Sequence, residues 1–306
     1  MGAPVRREWR PAFAVDVRRT LGSLRRGRYD PTYRTTADGA LWRTMRTPAG
    51  PATQRLTTSG DVVVGESWGP GAGWAAERLP AALGAGDDLT GFDAGLHPLV
   101  ERQWRRVGEN LRFPAVGLVL EMLVPSVLEQ RVTGLEAKRS WQQLVRSYGE
   151  PAPGPAPAGM VVFPEPRTWR AVPSWEWHRA GVEQARSATV LRAAAVASRL
   201  EEGVGLPTAA ATARLRAVPG IGPWTAAEVA QRAFGDADAV SYGDFHLAPD
   251  VVYALTGETD GSDERLAELL APWAGHRGRV AQLVVGSGIT RPRRGPRYAP
   301  LDHRGR

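Results

Sequence analysis

The stretch Leu215-Arg-Ala-Val-Pro-Gly-Ile-Gly-Pro-Trp-Thr-Ala-Ala-Glu-Val-Ala-Gln231 constrains this chain more than any other. Two apolar-periodic segments flank Pro219-Gly220-Ile221-Gly222, and no single helix or strand can run through that turn. The spacing predicts one helix over about 208–218, with Leu215 and Val218 facing inward, and a second over about 224–234. Gly220 and Gly222 carry no side chain to block the main-chain N–H groups at the start of the second helix. The turn therefore suits one anionic phosphate. The bland alternative is an ordinary turn between two core helices.

The charge balance agrees with the anion-binding reading. Lys and Arg number 39 against 32 Asp and Glu, a formal charge of +7, and such a surplus favours a polyanionic partner because neutralised phosphates release counterions. Nucleic acid is the economical choice, held by its backbone without base readout at the hairpin. The chain has no cysteine, which excludes a disulfide framework, a thiol nucleophile, cysteine-ligated zinc and a cysteine-bound iron–sulfur cluster. Its histidines show no metal-ligand spacing.

Asp244, in Tyr-Gly-Asp-Phe-His, follows Gln231 by thirteen residues. Val218-Pro-Gly-Ile-Gly-Pro-Trp-Thr-Ala226, Gly243-Asp-Phe-His-Leu247 and the upstream Leu128-Glu-Gln-Arg-Val-Thr133 together resemble the helix-hairpin-helix DNA glycosylase superfamily, and are most similar to its bacterial 3-methyladenine DNA glycosylase II group. The resemblance covers roughly residues 110 to 290. It implies an α+β fold, a mainly helical helix-hairpin-helix core with a small N-terminal antiparallel β-sheet domain. It also implies a monofunctional enzyme that flips a damaged, N-alkylated purine out of double-stranded DNA and hydrolyses its N-glycosidic bond. A non-catalytic DNA-binding module and a glycosylase for another lesion class are the alternatives.

The resemblance assigns roles residue by residue. Asp244 becomes the catalytic carboxylate, since charge develops on the sugar as the bond breaks; its placement before a helix also suits an ordinary N-cap. Bifunctional relatives carry a Schiff-base lysine at the position of Trp224, and an indole cannot form that imine. Trp224 stacks on a cationic purine or fills the helix start. Glu228 replaces a second pocket aromatic; it accepts a hydrogen bond from the base, attracts a cationic lesion, or is a solvated residue near the helix start. His246 faces the pocket or packs near it. Pro219, Gly220, Ile221, Gly222 and Thr225 form the backbone grip on DNA. Gln130 and Arg131 fill the gap left by the flipped nucleotide, or Arg131 holds a phosphate. Relatives bind a monovalent cation on the hairpin carbonyls, so a sodium or potassium ion is implied there, with no other cofactor and no iron–sulfur cluster.

Along the chain, β-favouring runs such as 40–46 and 61–68 predict a small sheet within residues 12–68. Helices are expected at 74–83, 98–111, 116–132, 135–148 and 185–201, and another, containing Phe245, Leu247, Val251, Val252 and Leu255, after Gly243. Pro151-Ala-Pro-Gly-Pro-Ala-Pro157 reads as a surface loop. The expected organisation is an N-terminal α+β domain over 1–110, a helical domain over 111–290 and a basic, flexible tail over 291–306. No apolar run approaches the roughly 20 residues of a membrane span, and the N-terminal stretch lacks a signal-peptide core, so a cytoplasmic monomer with no membrane partner is expected.

Overall fold

Alternating burial along residues 62–68 shows how the sheet forms: Val63, Gly65 and Ser67 point inward while their neighbours stay partly exposed. The computed structural model describes residues 2–292, so the expected tail lies, from residue 293 on, outside the described residues. Strands β1 (Val5–Trp9), β2 (Tyr33–Thr35), β3 (Leu41–Thr47), β4 (Gly50–Ser59) and β5 (Val62–Trp68) form one antiparallel sheet in the order β1-β5-β4-β3-β2. The small sheet predicted from the sequence is therefore present. The β4–β5 turn is two residues long, and Gly60 adopts the positive φ of 60° that so tight a hairpin requires. Gly65-Glu-Ser-Trp-Gly69 matches the Gly-x-Ser-x-Gly pattern of serine hydrolases. Here it runs along β5 and out of it, with Ser67 fully buried and accepting from Gln54, instead of forming a strand-to-helix elbow.

Helices α1 (Val17–Gly22), α2 (Ala72–Ala82) and α3 (Pro98–Val107) belong to the N-terminal part. They are followed by α4 (Val119–Leu128), α5 (Gly134–Tyr148), α6 (Pro166–Ala171), α7 (Ser174–Arg179), α8 (Gln184–Ala195), α9 (Ala197–Glu201), α10 (Thr208–Arg216), α11 (Pro223–Val229), α12 (Leu247–Thr256), α13 (Asp263–Leu270) and α14 (Arg277–Val285). The helix expected from residue 116 starts only at Val119. The reason is lateral: Val116 and Gly117 donate their N–H groups to Arg232 and Ala233, at 3.1 and 2.9 Å, and are not free to join a helix. The single helix expected over 185–201 is broken at Val196, whose ψ of 21° leaves the helical range. The Pro-rich loop packs on the sheet: its Ala152 and Ala156 lie against stacked Trp42 and Trp68.

Beside that small cluster, two large hydrophobic cores form among the described residues, and they do not follow chain order. The first joins the sheet (Leu41, Met45, Leu56) and α2 to α4, α5, α8 and the hairpin residues Leu215, Val218 and Ile221. The second joins Leu99 and Val100 of α3 to α12, α13 and α14. Val100, Trp104, Val107 and Leu111, from the segment expected as a helix over 98–111, pack into this second core. Among the described residues no helix is long and apolar enough to cross a membrane.

Candidate active site and DNA-contacting hairpin

The hairpin is anchored from below. Ile221 is only 5% exposed and sits in the first core, so it can meet a ligand only through its backbone. Drawing Ile221 inward forces Gly220 to a φ of 98°, and a Cβ there would overlap the side chain of Thr189 on α8. Gly220 is thus required by turn geometry and helix contact, whereas a Cβ at Gly222 would meet open space. The approach to the Gly222 amide is clear. α11 begins at Pro223 with no side-chain cap, and α10, the turn and α11 reproduce the two predicted helices and their joint. The second helix continues past Val229 as a π-helical turn, Ala230–Phe234. Among the described residues, the amides of Gly220 and Gly222 have no intramolecular acceptor, and those of Trp224 and Thr225 fall in the first helical turn, where the helix supplies none.

Two side chains steady the turn. Gln130 donates to the Gly220 carbonyl at 3.0 Å and to the Thr225 hydroxyl at 2.8 Å, so this residue clamps the hairpin. Arg192 of α8 reaches the carbonyl of exposed Pro219 at 3.4 Å. The implied monovalent cation would share these carbonyls, two of which already accept from the chain's own side chains. Beside Gln130, Arg131 is exposed, makes no hydrogen bond or ion pair among the described residues, and sits at a φ of 54°, which among them no other non-glycine residue shares above zero. Non-glycine residues held in that region are strained, and such strain concentrates at functional sites.

Asp244 is half-buried. Its Oδ1 accepts from the amides of His246 and Leu247, at 2.8 and 3.0 Å, which caps α12. Its Oδ2 accepts the indole N–H of Trp224 at 3.1 Å. The two sequence-predicted residues are thus brought together, but by a hydrogen bond. Trp224 does not line the cleft onto which Asp244 opens. α12 begins at Leu247, so the expected inclusion of Phe245 fails: the Asp244 cap holds the chain outside the helix there, and Phe245 is 77% exposed.

The cleft has a volume of about 300 Å³ and lies where the two cores meet. Glu228, Asp244 and His246 line it, together with Gln231, Arg232, Ser241, Asp250 and Gln282; its lining includes no Phe, Tyr or Trp among the described residues. Glu228 is not the solvated residue weighed as one alternative. Its carboxylate binds Arg232 at 2.7 Å and accepts the Ser241 hydroxyl at 2.5 Å. Burial works to raise its pKa, but Arg232, Ser241 and the nearby Arg26 outweigh burial and hold it below the ordinary value. Ser241, Arg232, Gln231 and Gln282 were missed by the sequence reading. The spacing of Glu228 and Arg232, four apart on a helix, was the one local signal available.

No family model matches the chain. A curated relative from Mycobacterium tuberculosis, "Probable bifunctional transcriptional activator/DNA repair enzyme AlkA", is 30% identical over 173 residues, which is 56% of this chain and 32% of that protein. The chain thus spans about a third of the length of the curated relatives it matches. The structure of a 3-methyladenine DNA glycosylase from Archaeoglobus fulgidus superposes with a TM-score of 0.74 at 15% identity, over 91% of this chain and 96% of that one. An 8-oxoguanine glycosylase/lyase from Clostridium acetobutylicum, in complex with double-stranded DNA, gives 0.68 at 11% identity, over 88% and 90%.

Proposed function

We propose, from the premise that this chain has the fold of the helix-hairpin-helix DNA glycosylases, that it is a monofunctional glycosylase acting on double-stranded DNA: it extrudes an N-alkylated purine and hydrolyses the N-glycosidic bond, leaving an abasic site. The observation that carries this reading is the position of Asp244, a half-buried carboxylate on the wall of an open cleft, one hydrogen bond from a helix start with free amides. The hairpin amides receive a phosphate, and Arg131, which has no partner among the described residues, enters the duplex where the nucleotide has left. The protein acts as a monomer.

As the bond between C1′ and the base lengthens, its electron pair departs with the base and positive charge grows on the sugar. Asp244, fixed by one indole and two amides, stabilises that charge without having to reorganise. Water then bonds to C1′ and gives up its proton to the carboxylate or to solvent. A cationic N-alkylated purine takes the electron pair as a neutral leaving group and needs no proton donor. That requirement suits a cleft in which Glu228 is held ionised with both oxygens engaged. Strand cleavage by imine formation has no support, because Trp224 stands where a lysine would be needed. Lys138, the sole lysine, sits on α5 with its stem beside Gly27.

Purified protein incubated with methylated duplex DNA is expected to release 3-methyladenine or 7-methylguanine, with Asp244→Asn abolishing release while keeping affinity for undamaged duplex. A second reading draws on the cap that Asp244 makes: a non-catalytic DNA-binding module, in which the carboxylate only starts α12. Lesion-independent binding with no base released from any damaged duplex would decide for the module.

A further inference from the structure

We infer that Glu228 is a positioning residue: through Ser241 it holds the turn that presents Asp244, and through Arg232 it ties that turn to the N-terminal part of the chain. The inference rests on the glycosylase reading for its consequence, but its geometry stands apart from that reading. Starting in the N-terminal part, the carbonyl of Ser23 accepts Nε of Arg232 at 3.0 Å. Arg232 Nη1 donates to both the main-chain carbonyl and Oε2 of Glu228, at 2.8 and 2.7 Å. Oε1 of Glu228 then accepts the Ser241 hydroxyl at 2.5 Å, and the Ser241 carbonyl accepts the N–H of Asp244 at 3.2 Å. The chain of contacts from residue 23 to the backbone of Asp244 is unbroken.

Three features make this a device for placement. Ser241 is only 5% exposed, and its hydroxyl donates to the Glu228 carboxylate while accepting from Gln231 Nε2 at 3.5 Å. The same segment is gripped a second time, where Gln231 Nε2 donates to the Ala239 carbonyl at 2.9 Å, and the far side of the turn is held by Asp263, which accepts the Gly243 N–H at 2.7 Å. Finally, Glu228 faces a second buried cation, Arg26, which itself pairs at 3.3 Å with Glu129 in the loop carrying Gln130 and Arg131. A carboxylate engaged on both oxygens, by a guanidinium and a buried hydroxyl, is poorly suited to discriminating among bases. It is well suited to fixing a turn, and a misplacement of about 1 Å at a reacting centre costs on the order of a hundredfold in rate.

Ser241→Ala removes only a hydroxyl and carries the test, because Glu228→Ala leaves Arg232 without its partner and can unfold the site. Single-turnover release of 3-methyladenine and 7-methylguanine is expected to slow about tenfold or more in Ser241→Ala, by the same factor for both bases, with affinity for undamaged duplex unchanged. Ser241→Thr, which keeps the hydroxyl, is expected to recover the rate. Full activity in Ser241→Ala overturns the inference, as does a Glu228→Gln variant that changes the ratio of the two released bases, which is the mark of a base reader. The indole N–H resonance of Trp224, bonded to Asp244, reports placement without turnover. It is expected to shift in Ser241→Ala and return in Ser241→Thr, and an unmoved resonance overturns the inference whether or not the wild-type protein releases any base.

Discussion

The starts of α11 and α12 lie one hydrogen bond apart and are built in opposite ways. At α11 a glycine turn leaves amides without acceptors among the described residues, so the backbone itself is open to a ligand. At α12 Asp244 has already satisfied the first amides, so the backbone there is spent on holding a side chain. Both ends exploit the same partial positive charge of a helix N-terminus. In the proposed function one serves to bind a strand, the other to hold a carboxylate in place. A site that must hold DNA firmly and also react with one nucleoside gains from separating the two tasks, since substrate binding by itself does not accelerate the chemical step.

If that division is real, substitutions at the two ends should dissociate. Asp244→Asn gives the largest effect: asparagine still caps a helix, so folding persists, but base release should fall on the order of a thousandfold while duplex affinity holds. Parallel chromatographic release and fluorescence-anisotropy binding check this, and loss of affinity in step with activity would break the comparison. Gly220→Ala is expected to do the reverse at the other end. Its positive φ and its contact with Thr189 predict destabilisation of about 1–3 kcal/mol, read by calorimetry, together with weakened binding to undamaged duplex. Gly243→Ala sharpens the contrast, because its φ of 86° carries the same backbone penalty but open space surrounds the new methyl. There, stability falls and duplex affinity does not. Gln130→Ala deletes the clamp on the hairpin and is expected to cost about 1 kcal/mol and to weaken duplex binding modestly.

The smallest effect comes from a carboxyl that serves neither helix end. Glu121, in α4, takes the backbone N–H of Arg46, and burial pushes its pKa up to about 7. Because the folded value lies above the ordinary one, the stability linked to this group is complete at acid pH and is lost as pH rises through about 7. Glu121→Gln should therefore raise Tm more at about pH 8 than at about pH 5, without altering base release.

The hairpin was legible in the sequence because its signals are local: proline and glycine restrict backbone angles wherever they occur, and Leu215, Val218 and Ile221 supplied the buried side. Asp244 was legible by its spacing from the hairpin and by resemblance. Its hydrogen bond to Trp224 was not, since stacking and hydrogen bonding are equally consistent with an indole at that position. The missed features are non-local. Val116 and Gly117 lose their helix to partners more than a hundred residues away, and Ser23 bonds Arg232 on the cleft wall from the opposite end of the chain. Periodicity cannot report contacts of that range. Phe245 was misread for a local reason, because Asp244 caps from three positions before the first helical residue and keeps Phe245 outside.

In the proposed reaction Asp244 sits where positive charge develops on the sugar. Affinity for a duplex containing a cationic pyrrolidine abasic analogue, compared with the neutral tetrahydrofuran analogue, measures this directly. Markedly tighter binding of the cationic duplex by the wild-type protein, and equal binding of both by Asp244→Asn, is the expected result. A cationic preference that survives in Asp244→Asn, or none in the wild type, would contradict it.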